Sequence, residues 1–362
     1  MDRRAFLAAS SATALLPGCA PGARPGRIDA AECLPRVKVA GNRVIRTVAG
    51  LRPFREQGFV VRAEALGTKR LVHNYGHGGA GITLSWGSSR LAVELGLPGH
   101  QGPVAVLGAG VMGLSTARLV QEAGFAATIY TKALPPDTTS NIAGGQILAT
   151  THYRESQVGD AWRAQFAAAM DYSWRRFQIL VGDDYGVRWL PSFEQGARLP
   201  PPPFDRYLVE ARPLAAGEHP FPVDPILAFH TMYVETGRYL RQLTRDVLGA
   251  GGRIVVREFA SPAELAELPE PLVFNCTGLG ARALFGDEQM RPVRGQLAIL
   301  LPQPEIGYAY STRAGYMFPR PDGIVLGGTF EHNEWDTMPQ PEAIAAIVES
   351  HRALAAGWRC RA

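Results

Sequence analysis

Apolar and polar positions follow the two periods of regular secondary structure along this chain. Residues 42–54 and 58–66 alternate as strands do, and a helical pattern begins at Ile82 and runs to about Leu95. Later segments favour helices over 160–182, 235–250 and from Pro341 onward, and strands at 252–256, 271–278 and within 315–330. Strands and helices that alternate in this way predict an α/β fold.

Composition places the chain among ordinary globular proteins. Its 362 residues suffice for one large domain or two smaller ones, with 46% hydrophobic and 19% charged residues. The net charge of +4 comes with arginines that are dispersed along the chain. This distribution indicates a solvated surface and no nucleic-acid partner.

The first residues resemble an export signal. Arg3 and Arg4 precede a short apolar run from Ala5 to Leu16, which is too short to span a bilayer. The paired arginines resemble a twin-arginine signal, and Cys19 in LLPGC resembles the acylated cysteine of a lipoprotein. We therefore expect export to the periplasm, possible anchoring through Cys19, and an ordinary basic helix as the alternative.

The stretch VAVLGAGVMG carries a dinucleotide fingerprint. Gly108, Gly110 and Gly113 form GxGxxG between a predicted strand and a predicted helix. Such a loop brings backbone N–H groups close to a pyrophosphate. The following strand ends at Lys132 and has no carboxylate for a ribose. Lys132 suits a 2′-phosphate, so the fingerprint leaves NADP and a flavin dinucleotide both open.

A second glycine-rich stretch, HNYGHGGAGITLSWG, precedes the fingerprint. Its histidines, His73 and His77, have the i, i+4 spacing of a metal pair, but that spacing suits a helix. Four glycines between Gly76 and Gly81 argue against a helix there. We predict hydrogen bonds within the loop and no metal site.

Several segments together resemble the D-amino-acid oxidase family of FAD enzymes. The resemblance covers nearly the whole chain outside the export segment. The segments are GLRPFR, HNYGHGGAGITLSWG, GAGVMGLSTA, TTSNIAGGQ, NCTGLGA, RGQ and YMFP followed by LGGTF. The resemblance implies a Rossmann-like FAD-binding domain and a substrate domain with an antiparallel-rich mixed sheet.

The order of these segments differs from the family's. GLRP and HNYGHGG close the chain in the family, whereas here they precede the nucleotide loop. The resemblance therefore implies a circular permutation joined through LPGHQGP (97–103). The expected organisation is an export signal (1–18), a linker (19–40), substrate-domain strands (41–69), FAD-binding segments (70–150 and 225–290), substrate-domain segments (151–224 and 291–345) and a C-terminal helix (346–362).

The family's substrate-binding residues carry over to three positions. Arg52 of GLRP would hold the substrate carboxylate with two hydrogen bonds. The hydroxyl of Tyr316 would meet the same carboxylate, and the carbonyl of Gly79 would accept from the substrate amine. A second lid tyrosine of the family aligns near Thr312, with Tyr308 or Tyr310 as possible substitutes.

The resemblance also implies the residues that contact non-covalently bound FAD. They lie in the two glycine-rich stretches, around the second strand and the next loop, and near the adenosine half. They are Gly78, Gly81, Ile82, Thr83, Gly108, Ala109, Gly110, Val111, Met112, Gly113, Lys132, Thr139, Ser140, Gly144, Gly145, Gln146, Phe259, Thr277 and Gly278.

The implied reaction is oxidative deamination of a D-amino acid. Hydride leaves Cα for flavin N5, water releases the 2-oxo acid and ammonia, and O2 reoxidises the flavin to give H2O2. The alternatives are an amino-acid or glycine dehydrogenase of the same superfamily that reduces a quinone, a flavin-binding protein without turnover, and an NADP-dependent reductase. Neither the side-chain preference nor the oligomeric state follows from the sequence.

The cysteines suggest one covalent link. The chain has four, with no metal-binding spacing, and Cys276 lies at the end of an apolar strand. Cys33 and Cys360 lie where the permutation leaves loose ends, and the export signal implies an oxidising compartment. We therefore hypothesise a Cys33–Cys360 disulfide, with two unrelated thiols as the alternative.

Overall fold

The computed structural model describes residues 33–196 and 198–359. Within them the chain forms two sheets. The strands are β1 (Val44–Phe54), β2 (Val60–Leu66), β3 (Lys69–Tyr75), β4 (Val104–Leu107), β5 (Ala127–Thr131), β6 (Val187–Gln195), β7 (Val209–Leu214), β8 (Ile226–Val234), β9 (Arg253–Val256), β10 (Leu272–Asn275), β11 (Arg291–Leu300), β12 (Ala309–Thr312), β13 (Gly315–Arg320), β14 (Gly323–Gly327) and β15 (Glu331–His332).

Eight α-helices connect these strands in the described residues. They are α1 (Gly81–Gly96), α2 (Val111–Glu122), α3 (Thr139–Ile142), α4 (Asp160–Ile179), α5 (Thr236–Gly249), α6 (Pro262–Ala266), α7 (Gly280–Phe285) and α8 (Pro341–Ala356).

The smaller sheet has the order β2-β3-β10-β4-β5-β9. Its strands are parallel except for the β2–β3 pair. The central strand β4 is buried along its whole length, as parallel strands with helices on both faces are. This arrangement confirms the α/β fold and places the GxGxxG loop between β4 and α2.

The larger, nine-stranded sheet has the order β1-β11-β14-β13-β12-β6-β8-β7, with β15 paired to β11. It is antiparallel except for the pairing of β12 with β6. It is thus the antiparallel-rich mixed sheet that the resemblance implies.

The two faces of the larger sheet carry different cores because side chains alternate along each strand. One face includes Leu297, Tyr316 and Phe318, and we name it the site face because Arg52 lies on it. The other includes Tyr310 and Ile347 of α8, and we name it the α8 face.

Two expected domain bounds differ from the sheet pairing. Strand β2, inside the expected substrate-domain segment 41–69, pairs with β3 in the smaller sheet. Strand β8, inside the expected FAD-binding segment 225–290, lies in the larger sheet between β6 and β7. In both cases the hydrogen bonds to a neighbouring strand decide which sheet the strand belongs to. A periodic sequence pattern does not reveal that neighbour.

The two ends of the described chain meet on the α8 face. Trp358 Nε1 donates to the carbonyl of Leu34 at 3.0 Å, and the hydroxyl of Tyr308 donates to the carbonyl of Pro35 at 2.8 Å. The predicted export signal, Cys19 and Cys360 lie outside the described residues. Within the described ones, no helix has both the length and the apolar content needed to cross a bilayer.

Candidate active site

The GxGxxG loop has the backbone geometry that a dinucleotide needs. Gly108 has φ +98°, and a Cβ on it would lie 2.7 Å from the carbonyl oxygen of Cys276. A Cβ on Gly113 would lie 1.8 Å from the carbonyl oxygen of Gly108, so the helix packs against the turn only with glycine here. The N–H groups at the start of α2 thus point to where a pyrophosphate would bind.

Side chains from neighbouring segments fix the loop. The N–H of Ala109 donates to Thr131 Oγ1 at 3.2 Å, and the N–H of Val111 donates to Ser140 Oγ at 3.0 Å. Ser140 belongs to α3, so the structure brings the predicted Thr139–Ser140 contact next to the fingerprint. Met112 is buried behind it.

Lys132 follows β5, where a ribose-binding carboxylate is absent. Its ammonium lies 3.5 Å from Glu258 Oε1, and both side chains are exposed. Phe259 packs edge-on against Tyr130, with ring centroids 5.8 Å apart. The side chain and the N–H of Thr277 both donate to Asn275 Oδ1. These residues gather around the carboxyl ends of β5, β9 and β10, the predicted adenosine end.

The second glycine-rich loop links β3 to α1. The N–H of Gly79 donates to the carbonyl of Thr151 at 3.1 Å. A Cβ on Gly79 would lie 2.3 Å from Thr151 Oγ1, so the absence of a side chain at Gly79 lets the 150–152 segment pack closely against it. The hydroxyl of Thr83 lies 3.3 Å from the carbonyls of Gln146 and Leu148. Loop 78–83 therefore contacts the segment that carries Gly144, Gly145 and Gln146.

The two histidines of this stretch hydrogen-bond to residues of other elements, so the prediction of bonds within the loop is wrong. His73 lies 3.0 Å from both Asn275 and Glu64, and His77 Nε2 lies 2.9 Å from Ser88 Oγ. His77 also stacks on Phe59. Burial lowers the pKa of His77 to about 3, so the ring is neutral at ordinary pH. Groups of three potential metal ligands are absent from the described residues.

Arg52 lies across Gly295 on the neighbouring strand. A Cβ on Gly295 would be 2.5 Å from Arg52 Nη1. Nη1 donates to the carbonyl of Thr329 at 3.3 Å, and the guanidinium lies 4.3 Å from the ring centroid of Phe330. Among the described residues, Arg52 has no carboxylate within ion-pair distance. It is therefore a half-buried permanent cation without a counter-ion.

Tyr316 reaches toward the same guanidinium over two further glycines. A Cβ on Gly327 would lie 2.1 Å from Tyr316 Cζ, and one on Gly328 would lie 3.1 Å from the hydroxyl. Burial raises the pKa of Tyr316, and the positive charge of the nearby Arg52 opposes that rise. The Arg52–Tyr316 pair predicted for a substrate carboxylate is thus assembled in the structure.

The proposed substitutes for the second lid tyrosine do not face this site. Tyr310 lies on the α8 face, where its hydroxyl is 2.8 Å from His351 Nδ1. Tyr308 lies on the same face and bonds to Pro35. Strand alternation turns both side chains away from Arg52, so the expectation that either one substitutes for the second lid tyrosine is wrong.

Other charged groups nearby already have partners. Arg55 pairs with Asp287 at 3.1 Å, which gives it a structural role. Buried Arg294 forms a short ion pair with Glu331, and Gln296 Nε2 donates to the same carboxylate at 2.8 Å. Arg294 is paired with Leu51 and Glu331, so this ion pair lies on the face of β11 opposite Arg52.

The fold and the glycine loops define a dinucleotide-binding protein. Residues 25–95 and 103–357 match the profile of DAO, the FAD-dependent oxidoreductase family. The chain belongs to this family, and its cofactor is FAD.

Curated relatives agree with this assignment. The chain is similar to a D-amino-acid oxidase of Streptomyces coelicolor, with 33% identity over 70% of this chain and 78% of that protein. It is also similar to human D-aspartate oxidase, with 30% identity over 69% and 75% of the two chains. Glycine oxidase from Geobacillus kaustophilus shares the fold, with a TM-score of 0.53, 14% identity and coverage of 73% and 81%.

The residues of this chain fit FAD. Gly108 and Gly113 form a cradle that a Cβ would fill, and α2 begins directly behind it. The N-terminus of α1, at Gly81, lies beside the Gln146 segment. The two loops are thus placed to hold the pyrophosphate and the isoalloxazine ring respectively.

Proposed function

We propose that this enzyme catalyses the oxidative deamination of D-amino acids with O2 as the electron acceptor. The observation that carries the proposal is the Arg52–Tyr316 pair, a cation without a carboxylate partner in the described residues and a tyrosine hydroxyl beside it. The D-amino-acid oxidase similarity supports the same reaction. D-amino acid, O2 and water give a 2-oxo acid, ammonia and H2O2.

The side chains bind and orient the substrate. Arg52 holds the carboxylate in a bidentate ion pair, and the Tyr316 hydroxyl donates to it. Bound FAD supplies the hydride acceptor. Catalysis by the protein then consists of positioning the Cα–H bond, so no side-chain base is assigned.

Gly79 completes the predicted substrate contacts. Its carbonyl oxygen would accept a hydrogen bond from the substrate amine. That contact favours an amine in the position needed for oxidation at Cα. The 150–152 segment, which packs on Gly79, would hold the carbonyl in place.

Anaerobic reduction of the FAD tests the proposed function. The purified protein with FAD is mixed without oxygen with D- and L-amino acids, glycine and sarcosine, and the flavin absorbance is followed. Bleaching by D-amino acids is the expected result. Bleaching only by L-amino acids, glycine or sarcosine, or by none of them, would overturn the proposal.

The electron acceptor is tested separately. We expect O2 consumption with stoichiometric H2O2. A reduced enzyme that is stable in air and is reoxidised by a soluble quinone would instead establish a dehydrogenase.

Export by the twin-arginine pathway and anchoring through Cys19 are further proposals. They are supported by the sequence of residues 1–19, which lie outside the described range. Fractionation of cells that express the full chain, followed by mass analysis of the mature N-terminus, tests both. An unprocessed protein in the cytoplasm would contradict them.

A further inference from the structure

We propose that His351 of α8 is a positioning residue for the active site. Through the carbonyl of Gly327 it fixes the backbone against which the ring of Tyr316 lies. This inference rests on the proposed function, in which the Tyr316 hydroxyl donates to the substrate carboxylate. His351 lies outside every motif that the resemblance to the family uses.

His351 is fully buried on the α8 face of the larger sheet. Its Nδ1 lies 2.8 Å from the hydroxyl of Tyr310, and its Nε2 lies 3.3 Å from the carbonyl oxygen of Gly327. Both ring nitrogens therefore have a partner, one on β12 and one at the end of β14.

The two partners decide which ring nitrogen carries the proton. A carbonyl oxygen can only accept, so the Nε2–H of His351 donates to Gly327. In the neutral ring Nδ1 then accepts from the Tyr310 hydroxyl. Burial lowers the pKa of His351 to about 4, so the ring is neutral at ordinary pH and this arrangement is kept.

Gly315 makes room for the bond between His351 and Gly327. It has φ +119°, and a Cβ on it would lie 2.1 Å from the carbonyl oxygen of Gly327 and 2.8 Å from His351 Nε2. A side chain at this position would force the carbonyl and the imidazole apart. The start of β13, one residue before Tyr316, is therefore compatible with the bond only as glycine.

Gly327 is in contact with both faces of the sheet. It is paired with Tyr316 across β13 and β14, and a Cβ on it would lie 2.1 Å from Tyr316 Cζ. No side chain separates the ring from this backbone, so a shift of Gly327 moves the Tyr316 hydroxyl relative to Arg52. The bond from His351 holds Gly327 from the opposite face and thereby keeps the Arg52–Tyr316 pair in register.

Binding of propionate, a carboxylate without an amine, tests this role apart from turnover. The dissociation constant of the holoenzyme for propionate is measured by calorimetry in His351→Asn and His351→Gln. Glutamine carries an amide N–H at the distance of Nε2, whereas asparagine carries its polar atoms only at the distance of Nδ1. We expect propionate to bind roughly tenfold more weakly to His351→Asn and within about twofold of the parent to His351→Gln.

Two further measurements separate positioning from folding. In a Tyr316→Phe background, which lacks the hydroxyl, His351→Asn should weaken propionate binding by less than about twofold, because both changes remove the same contact. Glu349→Gln, at an exposed residue of α8 paired with Arg352, is the matched control and should leave the dissociation constant unchanged. With a D-amino acid, His351→Asn should raise KM by the same factor as it weakens propionate binding, while FAD stays bound.

The possible failures are distinguishable. Equal propionate affinity in the parent and His351→Asn, or equal losses in His351→Asn and His351→Gln, overturns the role of His351 alone. A loss in His351→Asn that is just as large in the Tyr316→Phe background overturns it too. Absence of FAD reduction by every D-amino acid overturns the proposed function, while the propionate titrations still decide the role of His351.

Discussion

The guanidinium of Arg52 lies so close to the α-carbon of Gly295 that a methyl group there would be 2.5 Å from Nη1. Arg52 is the flexible partner in this contact, so a larger residue would displace the guanidinium before it disturbs the strand. Gly295 therefore keeps Arg52 in place for a substrate carboxylate.

Gly295→Ala is expected to raise KM at least tenfold while FAD remains bound. The reason is displacement of the guanidinium, which removes about 1.4 kcal/mol or more of binding energy. Steady-state kinetics and flavin absorbance check this. Gly249→Ala, at a position with nothing within 4 Å of the new methyl group, is the control and should leave KM unchanged. An unchanged KM in Gly295→Ala would show that the contact has no role in binding.

Arg52→Ala is expected to lower kcat/KM by about 3–5 kcal/mol, because the substrate carboxylate loses a desolvated ion pair. FAD binding should persist, since Arg52 lies outside both glycine loops. The matched control is Arg46→Ala on the same strand, where an exposed side chain lies 3.6 Å from Asp322. Near-normal kinetics in Arg52→Ala would refute the assignment of the carboxylate site.

Gly79→Val is expected to abolish turnover. One reason is that a side chain would fill the substrate's place, and a second is the close contact of a new Cβ with Thr151 Oγ1. Activities of Gly79→Ala and of Gly79→Ala combined with Thr151→Ala separate the two reasons. If activity returns in the double variant, the loss in Gly79→Ala comes from the contact with Thr151. If the double variant stays inactive, the loss comes from blocking the substrate. Full activity in Gly79→Val would contradict both.

Three buried histidines predict that the free energy of unfolding decreases as the pH is lowered. Burial lowers the pKa of His77 and His152 to about 3 and that of His351 to about 4. Below the unfolded pKa of about 6.5, the unfolded chain binds protons that the native state excludes. The free energy of unfolding should therefore fall from about pH 6.5 toward pH 4, by up to about 1.4 kcal/mol per pH unit for each histidine.

His152→Phe tests this dependence at one site. Neither ring nitrogen of His152 has a hydrogen-bond partner in the described chain, and the ring packs against Tyr153, Trp162 and Phe166. We expect a smaller loss of stability between pH 7 and pH 5, measured by urea unfolding. A slope equal to the parent's would show that His152 protonates in the native state as it does in the unfolded one.

The Cys33–Cys360 disulfide remains a prediction. The structure supports a disulfide at Cys33, and Cys360 lies outside the described residues. Cys33 is disulfide-bonded, and Cys276 is a buried free thiol. Hydrogen bonds from Trp358 to Leu34 and from the N–H of Arg359 to the carbonyl of Pro220 hold the flanking segments. Closing so long a loop is worth roughly 5 kcal/mol in chain-entropy models.

Peptide mapping without reduction identifies the partner. We expect a cross-linked peptide that contains Cys33 and Cys360, and a lower Tm for Cys360→Ser. Cys276→Ala serves as the control for loss of a cysteine outside the link. A Cys33–Cys19 peptide, or two alkylated thiols, would contradict the predicted pairing.

Much of the nucleotide site could be predicted from sequence because its physics is local. Around GAGVMG a strand, a tight turn and a helix follow one another within a few residues, and Gly108 and Gly113 each lie too close to backbone atoms for a Cβ. The predicted α/β class, the FAD requirement and the family are confirmed. The circular permutation stays a prediction.

The substrate side was less predictable because it depends on strand register. Tyr308 and Tyr310 have the residue type and approximate position of a lid tyrosine. The alternation of side chains along this segment nevertheless places both on the α8 face. Since a shift of one residue exchanges the two faces of a strand, sequence identity alone does not fix such a site.

The hydrogen bond between Trp358 and Leu34 brings the two ends of the described chain together, and this affects how the enzyme can be attached to a support. Both ends of the described chain leave from the α8 face, whereas Arg52 and Tyr316 lie on the other side of the nine-stranded sheet. A support coupled beside Leu34 or Trp358 therefore lies next to the α8 face of the larger sheet. Immobilised in this way, the enzyme would have the Arg52–Tyr316 face of the sheet turned away from the support.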